Sequence, residues 1–287
     1  MTRLVIHADD VGMCHGANAA FLELSQLGTI TSGSVMVPCP WFPELAAMAS
    51  ERPGLDVGVH LTLTSEHRYY RWGPVSRPSA TAGLLDDDGF LWRDVAGVRA
   101  HAHPEAVEAE WRAQIDRALA FGIDVTHLDA HMGAALAPEW CERYVRVGVE
   151  YRLPVLITAT LAGYAPNNHI AGTDEARFAP FVDQARTAGL PVFDRVIETD
   201  FGRPADVAAD YVAVFDGIVE PLVFGAFHPC APGPGEVEMI EPHASHVRTD
   251  EYQLFRTGEW QTSLSARPLE LTGFREIRDA WRAAPPV

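Results

Sequence analysis

The sequence has no apolar run approaching the roughly 18–20 residues that a membrane-spanning helix needs, which excludes a helical membrane anchor from this reading. Nor does it open like a secretory leader, because Arg3–Ala8 already reads as a short β-strand with no charged stretch and apolar core before it. Cysteine is sparse: Cys14, Cys39, Cys141 and Cys230 stand far apart with no CxxC pair, which fits neither a zinc ribbon nor a disulfide framework. Free, mostly buried thiols in a reducing cytoplasm are the expectation. Basic charge is scarce as well, with 22 Lys and Arg against 39 Asp and Glu and a net charge of −17. Nucleic acid and anionic membrane surfaces both demand clustered cations, so neither is expected as a partner. Internal repeats and low-complexity segments are also missing.

What is present is a large apolar fraction, 47% of 287 residues, enough for a sizeable core. Strand-like and helix-like segments alternate along the chain. Strands are expected at Arg3–Ala8, Ser32–Val37, Asp56–Leu61, Val125–Ala130, Val155–Ala159, Val192–Glu198, Leu222–Phe227 and near Leu269–Phe274. Helices are expected at His15–Leu27, Phe42–Ser50, Pro104–Phe121, Pro138–Glu150, Asp174–Ala188, Pro204–Val219, Thr249–Thr257 and at the C-terminus. Gly28 reads as a helix stop and Pro104 as a helix start. Such alternation implies a mainly parallel sheet, either doubly wound or a barrel, and about seven or eight units favour a distorted TIM-like (β/α) barrel in a single domain spanning 1–287. Ser65–His103 breaks the rhythm and is expected to be an insertion over the barrel mouth. Its Tyr69, Tyr70, Trp72 and Trp92 would suit a sugar face, and a hairpin packed on the barrel is the equal alternative.

The polar residues collect at the predicted carboxyl ends of strands. Strand one ends in His7-Ala8-Asp9-Asp10, another carries His60, a third reads Thr126-His127-Leu128-Asp129-Ala130-His131, and a later one ends in His228-Pro229. In a parallel barrel these ends share the face where active sites sit. An Asp after a strand is often only a helix cap, and a lone strand His is usually a core residue. Adjacent carboxylates, however, repel unless a cation is near. His127, Asp129 and His131 also share one side of a strand by alternation. The physical reading is a divalent metal held by one carboxylate and two imidazoles, with open positions for water and substrate. The second Asp of the pair would serve as base, and His127 or Asp129 would orient a ligand from behind. A Cys230–His228 nucleophile is disfavoured, since neighbours in a strand point to opposite faces.

Three ordered motifs resemble those of the YdjC-like carbohydrate deacetylases: Ala8-Asp9-Asp10-Val11-Gly12, Gly58-Val59-His60-Leu61-Thr62-Leu63-Thr64 and Thr126-His127-Leu128-Asp129-Ala130-His131. Tyr151-Arg152-Leu153-Pro154, Phe227-His228-Pro229 and the Val247–Tyr252 stretch resemble weaker signatures of the same family. The resemblance implies a distorted TIM-like barrel that removes acetyl groups from N-acetylated amino sugars with a divalent ion, zinc first and magnesium second. It further implies Asp10, His60 and His131 as metal ligands, Asp9 as base and His228 as acid to the leaving amine. Arg152 would reach substrate hydroxyls or form a structural ion pair. Val11, Met132-Gly133 and Cys230 depart from the family pattern, which leaves the sugar open. A small-molecule sugar is the expected partner, with a homodimer as an open alternative. Two rivals remain: another metal-dependent amide or ester hydrolase on this scaffold, and a non-catalytic sugar-binding relative.

Overall fold

The computed structural model describes residues 2–164, 172–202 and 207–284. Its centre is a sheet of seven strands: β1 (Thr2–Val11), β2 (Ser32–Val35), β3 (Val57–Leu61), β4 (Val125–Ala130), β5 (Arg195–Glu198), β6 (Leu222–Phe227) and β7 (Leu269–Leu271). Six follow the order β4-β3-β2-β1-β6-β5, and every ladder is parallel. Such pairing needs a crossover between neighbours, and helices such as His15–Leu27, Phe42–Glu51 and Pro104–Ala120 supply it. Strand interiors that read as apolar runs (Leu4, Val5 and Ile6 in β1; Val223 and Phe224 in β6) are fully buried, as a sheet covered by helices requires.

The gap between β4 and β5 is closed by an irregular segment. The Leu128 amide donates to Pro154 and the Leu156 amide to Leu128, both at 2.9 Å; further on, the Phe193 amide donates to Ile157 at 2.9 Å. Isolated parallel bridges Leu128–Val155, Thr158–Phe193 and Tyr164–Val196 mark the path. The ring is therefore a distorted barrel, as expected, but Val155–Ala159 holds a strand's place without forming a continuous strand.

Other boundaries shift for local reasons. Asp94 caps a helix at Val95–His101, its carboxylate accepting from the Gly97 amide at 2.7 Å, inside a stretch expected to be irregular. Phe274 opens the last helix (Phe274–Ala283) rather than ending β7. Glu236–Ile240 and Gly258–Ser265 are helical though no periodic pattern announces them, and the helix expected at Thr249–Thr257 begins earlier, at Ser245. The expected start at Pro204 lies outside the described residues, which resume with a helix at Val207–Asp216.

Of the two readings of the aromatics of 65–103, a sugar face or packing on the barrel, their contacts favour packing. Trp72 is buried and donates its indole N–H to the Thr64 carbonyl at 2.8 Å. Trp92 stacks on His101 with ring centroids 4.0 Å apart, and Tyr70 donates to the Met13 carbonyl. Tyr69 points to solvent. None of the four lines the cavity at the carboxyl ends of the strands; from this stretch only Glu66 does.

Candidate metal centre and active site

β1 delivers two adjacent carboxylates to one side, which plain alternation forbids. A bulge resolves this. Ala8 pairs with Gly33 and Val11 with Val35, so β1 spends three steps where β2 spends two. Asp10 absorbs the extra residue with φ 57°, a left-handed conformation uncommon outside glycine. Both carboxylates consequently line the same cavity of about 320 Å³, together with His60, Asp129, His131 and His228.

Three donor atoms converge there. Asp10 Oδ1 lies 3.4 Å from His60 Nε2 and 3.0 Å from His131 Nδ1. All three residues are buried, and the trio is close enough to hold one metal ion. Asp9 Oδ1 is buried without a hydrogen bond among the described residues, as an atom reserved for a reacting group would be, and Asp10 Oδ1 faces only the two ring nitrogens. A donor set of one carboxylate and two imidazoles suits zinc or a related transition ion better than magnesium, which prefers oxygen.

Behind the donors runs a polar ladder inside the barrel. His60 sits opposite Asp129 in the β3–β4 register, and its Nδ1 lies 3.0 Å from Asp129 Oδ1. Asp129 Oδ2 accepts from Ser34 Oγ at 2.8 Å and lies 3.1 Å from His7 Nε2. His7 Nδ1 is 2.7 Å from Ser32 Oγ, and its Nε2 is 3.5 Å from Asp9 Oδ1. Asp129 thus fixes the ring of His60 with Nε2 turned toward Asp10. His7, Ser32 and Ser34 were not among the expected site residues. Ser32 and Ser34, two small hydroxyls on one face of a buried strand, were the signal available.

On the other side, Arg248 places NH2 2.8 Å from Asp10 Oδ2 and also pairs with Glu241 at 3.0 Å. The chain contains no lysine, so this buried cation is an arginine fork, suited to two carboxylates at once. His228 Nε2 is 3.9 Å from Asp9 Oδ2 and from Asp10 Oδ2. Its Nδ1 meets Thr199 Oγ1 at 2.8 Å, and Thr199 donates onward to Glu251 at 2.6 Å. Because Thr199 uses its proton on Glu251, His228 must donate from Nδ1 and present Nε2 as an acceptor.

The electrostatics split the carboxylate pair. Burial pushes Asp9 well above the usual carboxylate range; His60 opposes this, while Asp129 and Asp10 add to it. Burial acts on Asp10 too, but Arg248 and His131 outweigh it and hold that carboxyl well below the range. The two neighbouring carboxyls are thus driven apart, one toward the protonated and one toward the ionised form. Burial, with Arg248 and His60 also acting against Asp10, brings His228 down to about 3 and keeps it neutral. His131 is opposed by burial but raised to about 9 by Glu66 and Asp10.

Two expected residues lie elsewhere. His127 is buried beneath the site, stacked on Phe274 at 3.8 Å, with Nδ1 2.9 Å from Thr126 Oγ1. It orients no donor of the Asp10–His60–His131 trio. A Cβ on Gly58 would come within 2.4 Å of that ring, so the glycine makes the room. Arg152 ends the helix Cys141–Tyr151 with φ 56° and donates to the Arg282 carbonyl at 3.2 Å, away from the cavity. It is a helix terminus tied to the last helix, on the structural side of the two alternatives.

A parallel α/β barrel with an Asp–His–His cluster at its carboxyl rim defines the class. The chain belongs to the YdjC-like protein family, whose profile matches residues 3–266. Among curated relatives, a carbohydrate deacetylase of Thermus thermophilus is 38% identical over 160 residues, 56% of this chain and 55% of that protein. That of Brevibacillus brevis is 34% identical over 153 residues, 53% of this chain and 58% of its own length. The match thus spans about half the length of these relatives. A solved Enterococcus faecalis structure, described in terms of cellobiose-phosphate cleavage, superposes with a TM-score of 0.78 at 19% identity. It covers 96% of this chain and 98% of that one, a likeness of fold. No helix among the described residues is long and apolar enough to cross a membrane.

Proposed function

We propose that this chain is a carbohydrate N-deacetylase, hydrolysing the amide of an N-acetylated amino sugar to acetate and the free amine. The observation that carries the reading is the convergence of Asp10 Oδ1, His60 Nε2 and His131 Nδ1 beside an Asp9 carboxylate whose Oδ1 is buried without a hydrogen bond among the described residues. Membership of the YdjC-like family and the names of the curated relatives support it.

Asp10, His60 and His131 would hold a divalent ion, with zinc the first choice on donor chemistry. Such an ion supplies Lewis acidity, polarising an acyl oxygen and acidifying water. Asp9, its carboxyl raised by burial, takes the proton from the attacking water. Expulsion of the amine then needs a proton on nitrogen. His228 begins neutral with Nε2 as acceptor, and burial disfavours its imidazolium. The proton that Asp9 has taken therefore passes to the amine from Asp9 itself, with His228 Nε2 a neutral neighbour 3.9 Å from Asp9 Oδ2. Thr199 and Glu251 hold that ring in place. Leu156, Tyr164 and Phe201 give the cavity an apolar wall for the acetyl methyl and sugar face. A volume of about 320 Å³ is at the small end of the roughly 300–1,000 Å³ usual for such sites and fits a ligand of about one sugar ring. The four free, buried thiols favour a cytoplasmic setting.

The test is acetate release from N-acetylated mono- and oligosaccharides, with O-acetyl esters and non-sugar amides alongside, after loading with Zn²⁺, Co²⁺, Ni²⁺ or Mg²⁺. Metal-dependent release from amino sugars that disappears in His60→Ala supports the reading. Turnover confined to the esters or non-sugar amides would transfer the site to that chemistry.

A further inference from the structure

Glu66 follows β3 at the start of the stretch expected to be an insertion over the barrel mouth, and its side chain lines the cavity. Its neighbours are tied down on both sides. The Ser65 amide donates to the Trp92 carbonyl at 2.7 Å, and Ser65 Oγ accepts from the Trp72 amide at 2.9 Å. The Trp72 indole donates to Thr64, and Arg93 donates to the His67 carbonyl at 3.0 Å. Arg71 links the same turn to Asp86 and to the Leu91 carbonyl at 2.8 and 2.7 Å. The aromatic and basic residues of 65–103 thus clamp the backbone from which Glu66 projects.

Glu66 Oε1 lies 3.0 Å from His131 Nε2, while His131 Nδ1 faces Asp10 Oδ1 at 3.0 Å. The imidazole stands between the two carboxylates. Glu66 is therefore not a fourth ligand on the Asp10 side; it is the acceptor behind the ring. His60 is arranged in mirror sense: Asp129 takes its Nδ1, and Nε2 faces Asp10. Opposite nitrogens of the two histidines are aimed at one point, each backed by its own carboxylate. An imidazole whose far N–H is held by a carboxylate is fixed in tautomer and orientation and is a stronger donor.

Resting on the reading of Asp10, His60 and His131 as ligands, we infer that Glu66 is the positioning residue for His131. It draws the proton to Nε2, leaves Nδ1 free to coordinate, and makes ion affinity depend on the packing of 65–103.

The experiment is zinc affinity by chelator competition on the full chain, with the cobalt(II) visible spectrum as a report on the ligand field. Glu66→Ala is expected to weaken zinc about 10- to 100-fold, the usual cost of losing such a partner, and to shift the cobalt bands. Glu66→Gln, whose amide oxygen still accepts the Nε2 proton, recovers most of the affinity. In a His131→Ala background, Glu66→Ala adds no further loss. The thermal midpoint of the metal-free variants shows that they fold. Zinc affinity within about twofold of wild type in Glu66→Ala, outside that range, overturns the inference. So does a full additional loss in the His131→Ala background. Acetate release absent from every amino sugar, with the affinity pattern intact, would sink the deacetylase reading and keep the role of Glu66.

Discussion

The two halves of the barrel are built differently. From β1 to β4 neighbouring strands pair in ladders, bulged once in β1–β2 and once in β3–β4, and the interior face is a chain of mutually bonded polar groups from His7 through Asp129 to His60. From Val155 to Tyr164 and on to β5 the ring is held by isolated bridges and single backbone bonds, and its interior residues are mostly apolar. The first half carries every proposed ligand. The second carries His228, Thr199 and the hydrophobic wall. Converging charges need a frame that cannot relax, because an ion site tolerates little error in donor position. A wall that accepts a sugar and its acetyl group needs shape more than rigidity. On the proposed reading, ion binding and substrate choice fall to different halves and can be altered separately.

The largest effect should come from breaking the rigid half. His60→Ala is expected to cut zinc affinity by more than the roughly 10–100-fold typical of residues that only orient a ligand, and to abolish acetate release. Metal analysis after dialysis checks the first and a coupled acetate assay the second. Next, Asp9→Asn should keep the ion but lower turnover by about 10²–10⁴, the range of general acid–base catalysis. Near-normal turnover in that variant would remove Asp9 as base.

A smaller effect follows from His131. Its folded value of about 9 lies above the ordinary 6.5, so its pairing with Asp10 and Glu66 stabilises the metal-free fold fully below pH 6.5. That contribution is lost as pH rises through about 9. Since a ligand imidazole must be neutral, zinc binding at neutral pH should release protons, and affinity should climb with pH toward 9. Calorimetry in buffers of different ionisation enthalpy counts the protons, and none released would contradict His131 as ligand. The smallest effect is expected at Arg152. Arg152→Gly relieves a left-handed residue at a helix end, so stability should hold or rise by about 0.5–1 kcal/mol while kcat/KM stays unchanged. A marked rise in KM would return Arg152 to the substrate site.

Much of this frame was legible in the sequence because period and position coincide. The alternation of strand and helix locates β1, β3, β4 and β6, and each carries its polar residue at the carboxyl end, so Asp9, Asp10, His60, His131 and His228 can be read together. What depends on cross-strand register could not be read. Ser34 reaches Asp129 across 95 residues; Arg248, legible only as part of a weaker family-like signature, reaches Asp10 from a helix across 238. Glu66 was hidden in a segment without periodicity, where clamping bonds replace secondary structure. Arg152 is the opposite case: the sequence leaves it open between substrate hydroxyls and a structural ion pair, and its left-handed backbone and bond to the Arg282 carbonyl place it at a helix terminus. His127 shares its strand face with Asp129, as alternation requires, but depth within the barrel separates the two, and alternation says nothing about depth.

The bulge in β1 has a consequence for how this site can be altered or copied. Substituting Asp9 or Asp10 removes one carboxylate and leaves the other where it was. Deleting either residue instead erases the extra step between Ala8 and Val11, re-phases the strand, and leaves a single acidic side chain on whichever face parity dictates. Insertions and deletions at this point are therefore far harsher edits than any point change. Anyone grafting the pair of aspartates onto another parallel barrel must transplant the irregularity along with the letters.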